Sequence, residues 1–168
     1  MKVNIRPARL SDVPGIAQVL TVSFYSQRWL HFFWEWAIGV DVRCRLLEAN
    51  KYYTCLIAVT PEGQPIATIE MCIRRFRPWQ NSQYPYIFNL AVHPHWRRQG
   101  IASQLLQATE PIAKSWGFSQ IFIHVMANNQ PAYALYQQAN YIFYRYDRNL
   151  FNFNRLLLCK TLTNSPPA

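Results

Sequence analysis

The chain has 168 residues, 51% of them hydrophobic, which is enough for one domain with its own core and too few for two. Its formal net charge of +9 allows nucleic acid, the ribosome, a membrane surface or a polyanionic small molecule as a partner. The basic residues are spread along the chain, and no stretch of about 18 or more consecutive apolar residues occurs. We therefore predict no specific nucleic-acid binding, no membrane association and no transmembrane helix.

The N-terminal segment and the cysteines indicate the cellular compartment. The first residues lack the apolar run of a signal peptide, and we expect them to be folded structure. The four cysteines have no metal-ligand spacing, and three lie in apolar runs, where a reduced buried thiol is the usual state. The sequence therefore predicts a cytoplasmic protein without a bound metal.

The first half of the chain predicts a strand, three helical segments and a hairpin. Residues 3–8 read as a short strand, and Ser11 with Asp12 begins a helix. Four aromatic residues at helical spacing then predict a stripe that packs in the core: Trp29, Phe32, Phe33 and Trp36. The remaining predicted elements of this half are a helix at 42–49 and strands at 52–60 and 66–74, joined by a turn.

The second half alternates strands and helices. A loop is predicted over residues 75–85 and a turn after residue 146. The predicted elements are strand 86–92, a helix from 101 to Gly117, strand 120–126, a helix to Ala139, and antiparallel strands 141–146 and 153–162. We expect Asn129 to be the N-cap of the second helix and Asn140 to close it in a left-handed conformation. This order predicts an α/β fold with a mixed sheet in a single domain, residues 1–162, followed by a flexible tail at residues 163–168.

Residues 86–103 join a buried strand to a helix through a basic turn. Pro94 ends the strand because it has no N–H to donate. The sequence RRQG then opens the helix, so free backbone N–H groups, the helix dipole and two arginines act at one place. These features are typical of a phosphate site, and we name residues 97–103 the phosphate cradle.

Two motifs resemble those of the GNAT superfamily of acyl-CoA N-acetyltransferases. The run RRQGIA at residues 97–102 is similar to the family pattern Arg/Gln-x-x-Gly-x-Gly/Ala, and it follows a strand that ends in LAV. The run NQPAYALY at residues 129–136 is similar to the family's Asn-x-x-Ala-x-x-Leu-Tyr segment. The resemblance covers residues 1–162 and implies a sheet of about seven strands with about four helices. It also implies acetyl-CoA as the co-substrate.

Within the superfamily, the chain looks most like protein N-terminal acetyltransferases. These include the bacterial ribosomal-protein alanine acetyltransferases and the eukaryotic NatA and NatE catalytic subunits. His124, in the run IHVMANN, is similar to the NatE histidine that serves as base, and Tyr86 falls where NatE has its partner tyrosine. The bacterial enzymes have a glutamate at the position of His124. Among the three carboxylates after residue 62, Glu70 lies in a predicted strand and stays open as an alternative base.

The resemblance also implies how acetyl-CoA binds. The backbone of the phosphate cradle surrounds the pyrophosphate, and Gly100 lets that backbone approach closely. The strand end binds the pantetheine arm by main-chain groups, with the Val92 N–H polarising the thioester carbonyl. The implied binding residues are Leu90, Ala91, Val92, Arg97, Arg98, Gln99, Gly100, Ile101, Ala102, Ser103 and Asn129.

The implied reaction is direct attack of a neutral amine on the thioester. The pKa of a free α-amine is about 8 and that of lysine about 10.4, so the neutral form of lysine is over a hundredfold scarcer near neutral pH. A histidine suits the first amine better than the second. We therefore expect His124, with Tyr86 and a water, to be the base for a protein N-terminal α-amine, with lysine as a further acceptor to test. Tyr136 is implied as general acid or hydrogen-bond donor to the leaving sulfur.

Aromatic residues are the candidates for the acceptor groove. The resemblance implies that the groove is built from the loop after the first helix and the loop between the last two strands; the residues are Phe24, Tyr25, Tyr144 and Tyr146. Ordinary core packing is the alternative for each of them.

Two alternative functions also stay open: acetylation of a small-molecule amine, and a non-catalytic acyl-CoA sensor or ribosome-binding module. The expected partner is a protein or peptide N-terminus, the ribosome is a further one, and the chain is a monomer or a homodimer.

Overall fold

The computed structural model of the protein describes residues 3–24, 31–75, 83–148 and 154–162. Within these ranges the chain forms seven strands and four α-helices. The strands are β1 (Asn4–Pro7), β2 (Tyr53–Val59), β3 (Pro65–Arg75), β4 (Gln83–Val92), β5 (Gln120–Met126), β6 (Ile142–Arg148) and β7 (Asn154–Thr161). The helices are α1 (Val13–Phe24), α2 (His31–Leu47), α3 (Ile101–Ser115) and α4 (Gln130–Gln138).

The strands form one mixed sheet in the order β1-β2-β3-β4-β5-β7-β6. Strands β4 and β5 pair in parallel, and α3 connects them, as a parallel pair requires. The pairs β1–β2, β5–β7 and β6–β7 are antiparallel. The predicted mixed α/β sheet is therefore confirmed.

The contacts of the chain group into two compact units. Unit 1 consists of Met1–Met71 and Asn89–Ala108, and unit 2 consists of Cys72–Phe88 and Thr109–Ala168. The core of unit 1 contains apolar side chains of α1, α2 and β2, among them Ile16, Leu20, Val42, Ile57 and Val59. The core of unit 2 contains Tyr86, Phe122, Leu157 and Cys159, with Tyr84 and Phe88 packed against them. The predicted single domain stays a prediction, and the predicted tail lies outside the described residues.

The helix α2 differs from its prediction. It is one continuous helix from His31, where the sequence predicted a separate segment at residues 42–49. Phe33 is 54% and Trp36 63% exposed, so the prediction that these rings pack in the core is wrong. The side chains of Trp29 and Phe32 lie outside the described part of the chain.

The close approach of α1 and α2 explains this exposure. A Cβ built on Gly39 would lie 3.6 Å from the Cβ of Ala17, so the two helices come together at small residues. The buried apolar contact of α2 comes from Val42, which is 0% exposed. Large rings do not fit such a contact and lie to the side of it.

Two strands are longer than predicted. Strand β4 begins at Gln83, so the last residues of the predicted loop over 75–85 belong to the strand. Strand β6 continues to Arg148, which places Asp147 within a strand where a turn was predicted. The reason is its pairing with β7, because Asp147 lies opposite Arg155 and the ladder supplies the backbone hydrogen bonds. Such pairing is a long-range contact that a local pattern does not contain.

The predicted helix ends are confirmed. Gly117 follows α3 with φ 86°, and the Phe118 N–H donates to the Ala113 carbonyl, as in a left-handed C-terminal cap. Asn140 follows α4 with φ 63°, the left-handed conformation that the sequence predicted for it. Pro111 lies inside α3 without ending it. Among the helices of the described ranges, none is long and apolar enough to cross a membrane.

Candidate active site

The phosphate cradle lies in unit 1, where β4 turns into α3. A short 3-10 turn, Pro94–Trp96, follows the strand, and α3 begins at Ile101. Arg98 has φ 63° and Gly100 has φ 75°, so the backbone turns sharply through two left-handed residues before the helix starts. The local structure is the one the sequence predicted, a strand, a basic turn and a helix N-terminus.

The cradle offers backbone donors and space. The first N–H groups of an α-helix have no acceptor within the helix, so those of residues 101–103 are available to a ligand. A Cβ built on Gly100 would meet no atom within 4 Å, and the positive φ of this residue suits glycine. Arg97 and Arg98 are exposed and add positive charge beside these donors. The residues therefore fit an anionic diphosphate.

The carbonyl of Val92, at the end of β4, accepts hydrogen bonds from two side chains of unit 1. It accepts a hydrogen bond from Arg97 Nε at 3.0 Å and one from Ser23 Oγ at 3.3 Å. The end of α1 therefore lies against the end of β4, and Phe24, the last residue of α1, follows directly. The side chains of Leu90 and Val92 are half-buried, while Ala91 is buried.

Glu70 has a buried set of partners, also in unit 1. Its carboxylate is 0% exposed and accepts from Arg45 Nε at 2.7 Å, Arg45 Nη2 at 3.0 Å, Tyr53 Oη at 2.5 Å and Asn89 Nδ2 at 2.8 Å. Each carboxylate oxygen has two donors, so no lone pair faces an incoming proton. This arrangement favours a structural role for Glu70 over the base role left open by the sequence.

Asn89 links this carboxylate to the strand that precedes the cradle. It has φ 51°, a conformation that few residues other than glycine and asparagine adopt within a strand. Asn89 lies directly before Leu90, and β4 pairs with β5 at Tyr86 and Ile87. The hydrogen bond to Glu70 stabilises this local departure from strand geometry.

In unit 2, His124 joins Tyr86 and Asp147. Tyr86 Oη lies 3.0 Å from His124 Nδ1, and Asp147 Oδ2 lies 2.9 Å from His124 Nε2. Arg145 forms an ion pair with Asp147, with Nε 2.8 Å from Oδ1, and its Nη2 donates to Oδ2 at 3.1 Å. The structure therefore brings together the predicted pair Tyr86 and His124 and adds a carboxylate behind the histidine.

The surroundings shift the pKa values of this group. Burial lowers the pKa of His124 and outweighs the hydrogen bond to Asp147, which acts to raise it. Burial raises the pKa of Tyr86, although the Arg74 guanidinium, 4.4 Å from the ring centroid, acts against it. Burial would also raise the pKa of Asp147, but hydrogen bonds from Arg145 and His124 bring it below its ordinary value. At neutral pH the histidine and the phenol are neutral and the carboxylate is ionised.

Two more predicted residues lie on α4 in unit 2. Asn129 is the N-cap of α4, where its Oδ1 accepts from the Ala132 N–H at 3.2 Å. Tyr136 is 7% exposed, with its ring 6.0 Å from that of Tyr141, and burial raises the pKa of its phenol. This phenol remains protonated at neutral pH and is a weaker acid than an ordinary tyrosine.

The predicted acceptor residues are exposed aromatics wherever the structure describes them. Phe24 is 56% exposed, Tyr144 52% and Tyr146 71%. The ring of Tyr144 packs on Phe122 at 5.3 Å with an interplanar angle of 85°, which orients it despite its exposure. Tyr25 lies outside the described residues.

The sequence did not indicate Asp147 or Asn89 as site residues. Asp147 is one of three carboxylates after residue 62, and it lies two residues after Arg145 in an alternating polar and aromatic run. That alternation is the signal of a longer strand, but the partner of the carboxylate depends on strand register. Asn89 gave no signal, since its conformation depends on Glu70. In the described ranges, no group of three or more His, Cys, Asp or Glu could bind a metal ion.

The chain belongs to the acetyltransferase (GNAT) family, whose model matches residues 20–141. It is 28% identical over 131 residues to GCN5-related N-acetyltransferase 6, chloroplastic, of Arabidopsis thaliana, covering 61% of this chain and 45% of that one. It is 33% identical over 64 residues to the uncharacterized N-acetyltransferase YycN of Bacillus subtilis, covering 38% and 41%. The chain thus spans less than half the length of these curated relatives.

Solved structures share the fold at low sequence identity. The PaiA N-acetyltransferase of Thermoplasma acidophilum, in complex with coenzyme A, has a TM-score of 0.75 at 16% identity, covering 96% of this chain and 99% of that one. Arabidopsis thaliana NAA60 with a bisubstrate analogue has a TM-score of 0.69 at 20% identity, covering 98% of this chain and 100% of that one. The ribosomal-protein-S18-alanine N-acetyltransferase of Escherichia coli has a TM-score of 0.66 at 15% identity, covering 98% of this chain and 97% of that one. The predicted family and fold are therefore confirmed.

Proposed function

We propose that this chain transfers the acetyl group of acetyl-CoA to a protein N-terminal α-amine. The observation that carries the proposal is the hydrogen bond of 3.0 Å between Tyr86 Oη and His124 Nδ1, in a chain of the GNAT family. A neutral histidine paired with a phenol is a base matched to an amine of pKa about 8. The shared fold with the ribosomal-protein-S18-alanine N-acetyltransferase of Escherichia coli supports a protein acceptor.

Acetyl-CoA is the co-substrate that the phosphate cradle fits. The available N–H groups of residues 101–103, with Arg98 and Arg97 beside them, bind the pyrophosphate. In our proposal, the main-chain groups of Leu90 and Val92 bind the pantetheine arm, and Asn129 contributes a further contact. The hydrogen bonds from Arg97 and Ser23 to the Val92 carbonyl support this part, since they fix the strand end.

The protons balance in two transfers. The substrate ammonium gives one proton to the phenol oxygen of Tyr86, directly or through a water, while the phenol proton passes to His124 Nδ1 and later to solvent. The neutral amine attacks the carbonyl carbon, the C–N bond forms, and the C–S bond breaks. The nitrogen then loses a second proton, which ends on the sulfur of coenzyme A.

Tyr136 donates a hydrogen bond to the departing sulfur in this scheme. A thiol has a pKa of about 8.5, well below that of a buried phenol, so full proton transfer from Tyr136 to the thiolate is unfavourable. A hydrogen bond stabilises the thiolate without such a transfer. We therefore assign hydrogen bonding to Tyr136. The proton that ends on the sulfur comes from the attacking nitrogen.

The acceptor enters beside exposed aromatic rings in our proposal. The residues that we propose to bind the first residues of a peptide are Phe24, Tyr25, Tyr144 and Tyr146. The net charge of +9 and the fold shared with a ribosomal-protein acetyltransferase favour ribosome association as the setting. All four cysteines are free thiols, which supports a reducing compartment such as the cytoplasm.

An acceptor panel tests the proposal. Acetyl-CoA is first titrated into the protein by calorimetry, and release of coenzyme A is then measured with short peptides, their N-terminally blocked forms, and small amines such as polyamines. We expect binding, and release that requires a free peptide α-amine. Release with small amines alone would favour a small-molecule acetyltransferase, and binding without any release would favour an acyl-CoA sensor.

A further inference from the structure

The two ring nitrogens of His124 have partners of different chemistry. Nδ1 lies 3.0 Å from the Tyr86 hydroxyl, which can donate or accept, while Nε2 lies 2.9 Å from an oxygen of Asp147. An ionised carboxylate only accepts, so the hydrogen of a neutral His124 must lie on Nε2. The lone pair of Nδ1 then faces Tyr86, and the phenol donates to it.

The strand register brings Asp147 to this position. His124 on β5 lies opposite Leu157 on β7, and Leu157 lies opposite Arg145 on β6. Side chains of paired residues share a face of the sheet, so His124 and Arg145 lie on the same face. Asp147, two residues after Arg145, lies on that face as well.

A β-bulge in β6 places Asp147 on the same face of the sheet as His124. Phe143 lies opposite Leu158 and Arg145 opposite Leu157, so β6 uses two residues where β7 uses one. The bulge at Tyr144 turns Arg145 and Asp147 toward the face that carries His124. Without it, the two side chains would lie on the other face.

We propose that Asp147 is a positioning residue that fixes His124 as the Nε2–H tautomer, so that Nδ1 accepts the proton of Tyr86. The inference rests on the proposed function in one respect, namely that Tyr86 receives the proton of the substrate amine. Asp147 touches neither the amine nor acetyl-CoA and acts through the histidine. Arg145 keeps the carboxylate ionised, which prevents it from taking the Nε2 proton.

The charged and titratable groups around His124 act in opposite directions. Tyr86 faces it from β4, Asp147 and Arg145 from β6, and Arg155 from β7. Asp147 acts to raise the pKa of His124, while Arg155 and Arg145 act to lower it. Removing the carboxylate and removing the arginine should therefore displace the titration of His124 in opposite senses.

Nitrogen-15 NMR of the imidazoles tests the tautomer without any need for turnover. The chain has four histidines, and the signals lost in His124→Gln identify those of His124. We expect a protonated Nε2 and an unprotonated Nδ1 in the wild-type protein at neutral pH, and a loss of this preference in Asp147→Asn. A protonated Nδ1 in the wild type, or the same tautomer in Asp147→Asn, would overturn the inference.

The pH dependence of kcat/KM gives a second readout. The reaction requires both His124 and the α-amine in their neutral forms. The slope of log kcat/KM against pH is therefore about two at low pH and changes to about one at the pH where His124 deprotonates. This break should move to lower pH in Asp147→Asn and to higher pH in Arg145→Gln, with kcat reduced about tenfold in the former because part of the base contribution is lost. Breaks that do not move, or that move together, would contradict the inference.

Glu110→Gln is the matched control, since Glu110 is a partly buried carboxylate of unit 2 paired with Lys160 at 2.6 Å and outside the proposed machinery. In Glu110→Gln, the slope of log kcat/KM should change at the same pH as in the wild-type protein. Absence of peptide acetylation by the wild-type protein would contradict the proposed function, whereas the NMR result decides the role of Asp147 independently.

Discussion

Glu70 and Asp147 are both carboxylates on strands, and their surroundings give them different tasks. Glu70 is fully buried and satisfied by donors from Arg45, Tyr53 and Asn89. Asp147 is partly exposed and ionised, and it contacts both the Arg145 guanidinium and one imidazole nitrogen of His124. The first can connect elements of unit 1 but has no free lone pair, while the second can control the protonation of a neighbour.

The replacement Glu70→Gln should lower stability far more than catalysis. The change removes the negative charge that pairs with Arg45, and the ion pair of Arg45 with Asp41 involves a carboxylate that is 65% exposed. Breaking a buried pair in this way costs about 3 kcal/mol of the free energy of unfolding. Urea unfolding measures this loss, and kcat of the folded protein should fall much less than the roughly hundredfold expected when a general base is removed.

The matched control is Glu62→Gln. Glu62 lies in the exposed turn between β2 and β3, so its replacement should leave the urea midpoint unchanged. A Glu70→Gln protein that is as stable as the wild type but inactive would return the role of base to Glu70.

At the scale of the element, the turn between β4 and α3 carries the binding of acetyl-CoA in our account. Its two left-handed residues, Arg98 and Gly100, direct the first N–H groups of α3. Glycine has no steric penalty at φ 75°, whereas alanine loses about 1 kcal/mol or more in this region.

Gly100→Ala should therefore weaken acetyl-CoA binding by about fivefold to tenfold, because the backbone must shift or accept strain. Isothermal titration of the variant measures this change. Gly117→Ala is the control at the other end of α3, where φ is 86° and a Cβ would also meet no atom within 4 Å. It should cost similar stability and leave the dissociation constant unchanged. An equal effect of both variants on binding would contradict the assignment of the cradle.

Local elements are the part of this protein that its sequence predicts well. The cradle, the Asn129 cap and the left-handed Asn140 depend on residues within one turn of each other, and all three follow from the sequence. Asp147 does not, because its task depends on a bulge in β6 and on the register of three strands. The exposed rings of α2 were predicted wrongly, since helical spacing does not tell which face meets α1.

At the scale of the whole molecule, each compact unit contains one group of the proposed machinery. Unit 1 contains the phosphate cradle and the strand end fixed by Asn89 and Glu70, and unit 2 contains Tyr86, His124 and Asp147. The positive charge of the chain suits both an anionic co-substrate and a ribosomal setting. The central claim is that the base of unit 2 selects an α-amine over lysine.

Tandem mass spectrometry of one peptide tests this claim most directly. The peptide carries a free α-amine and an internal lysine, and it is incubated with acetyl-CoA and either the wild-type protein or His124→Gln. We predict that the acetyl group lies on the α-amine, and that the rate falls about a hundredfold in the variant, the contribution of a general base. Acetyl groups found mainly on the lysine, or an unchanged rate in His124→Gln, would contradict the account.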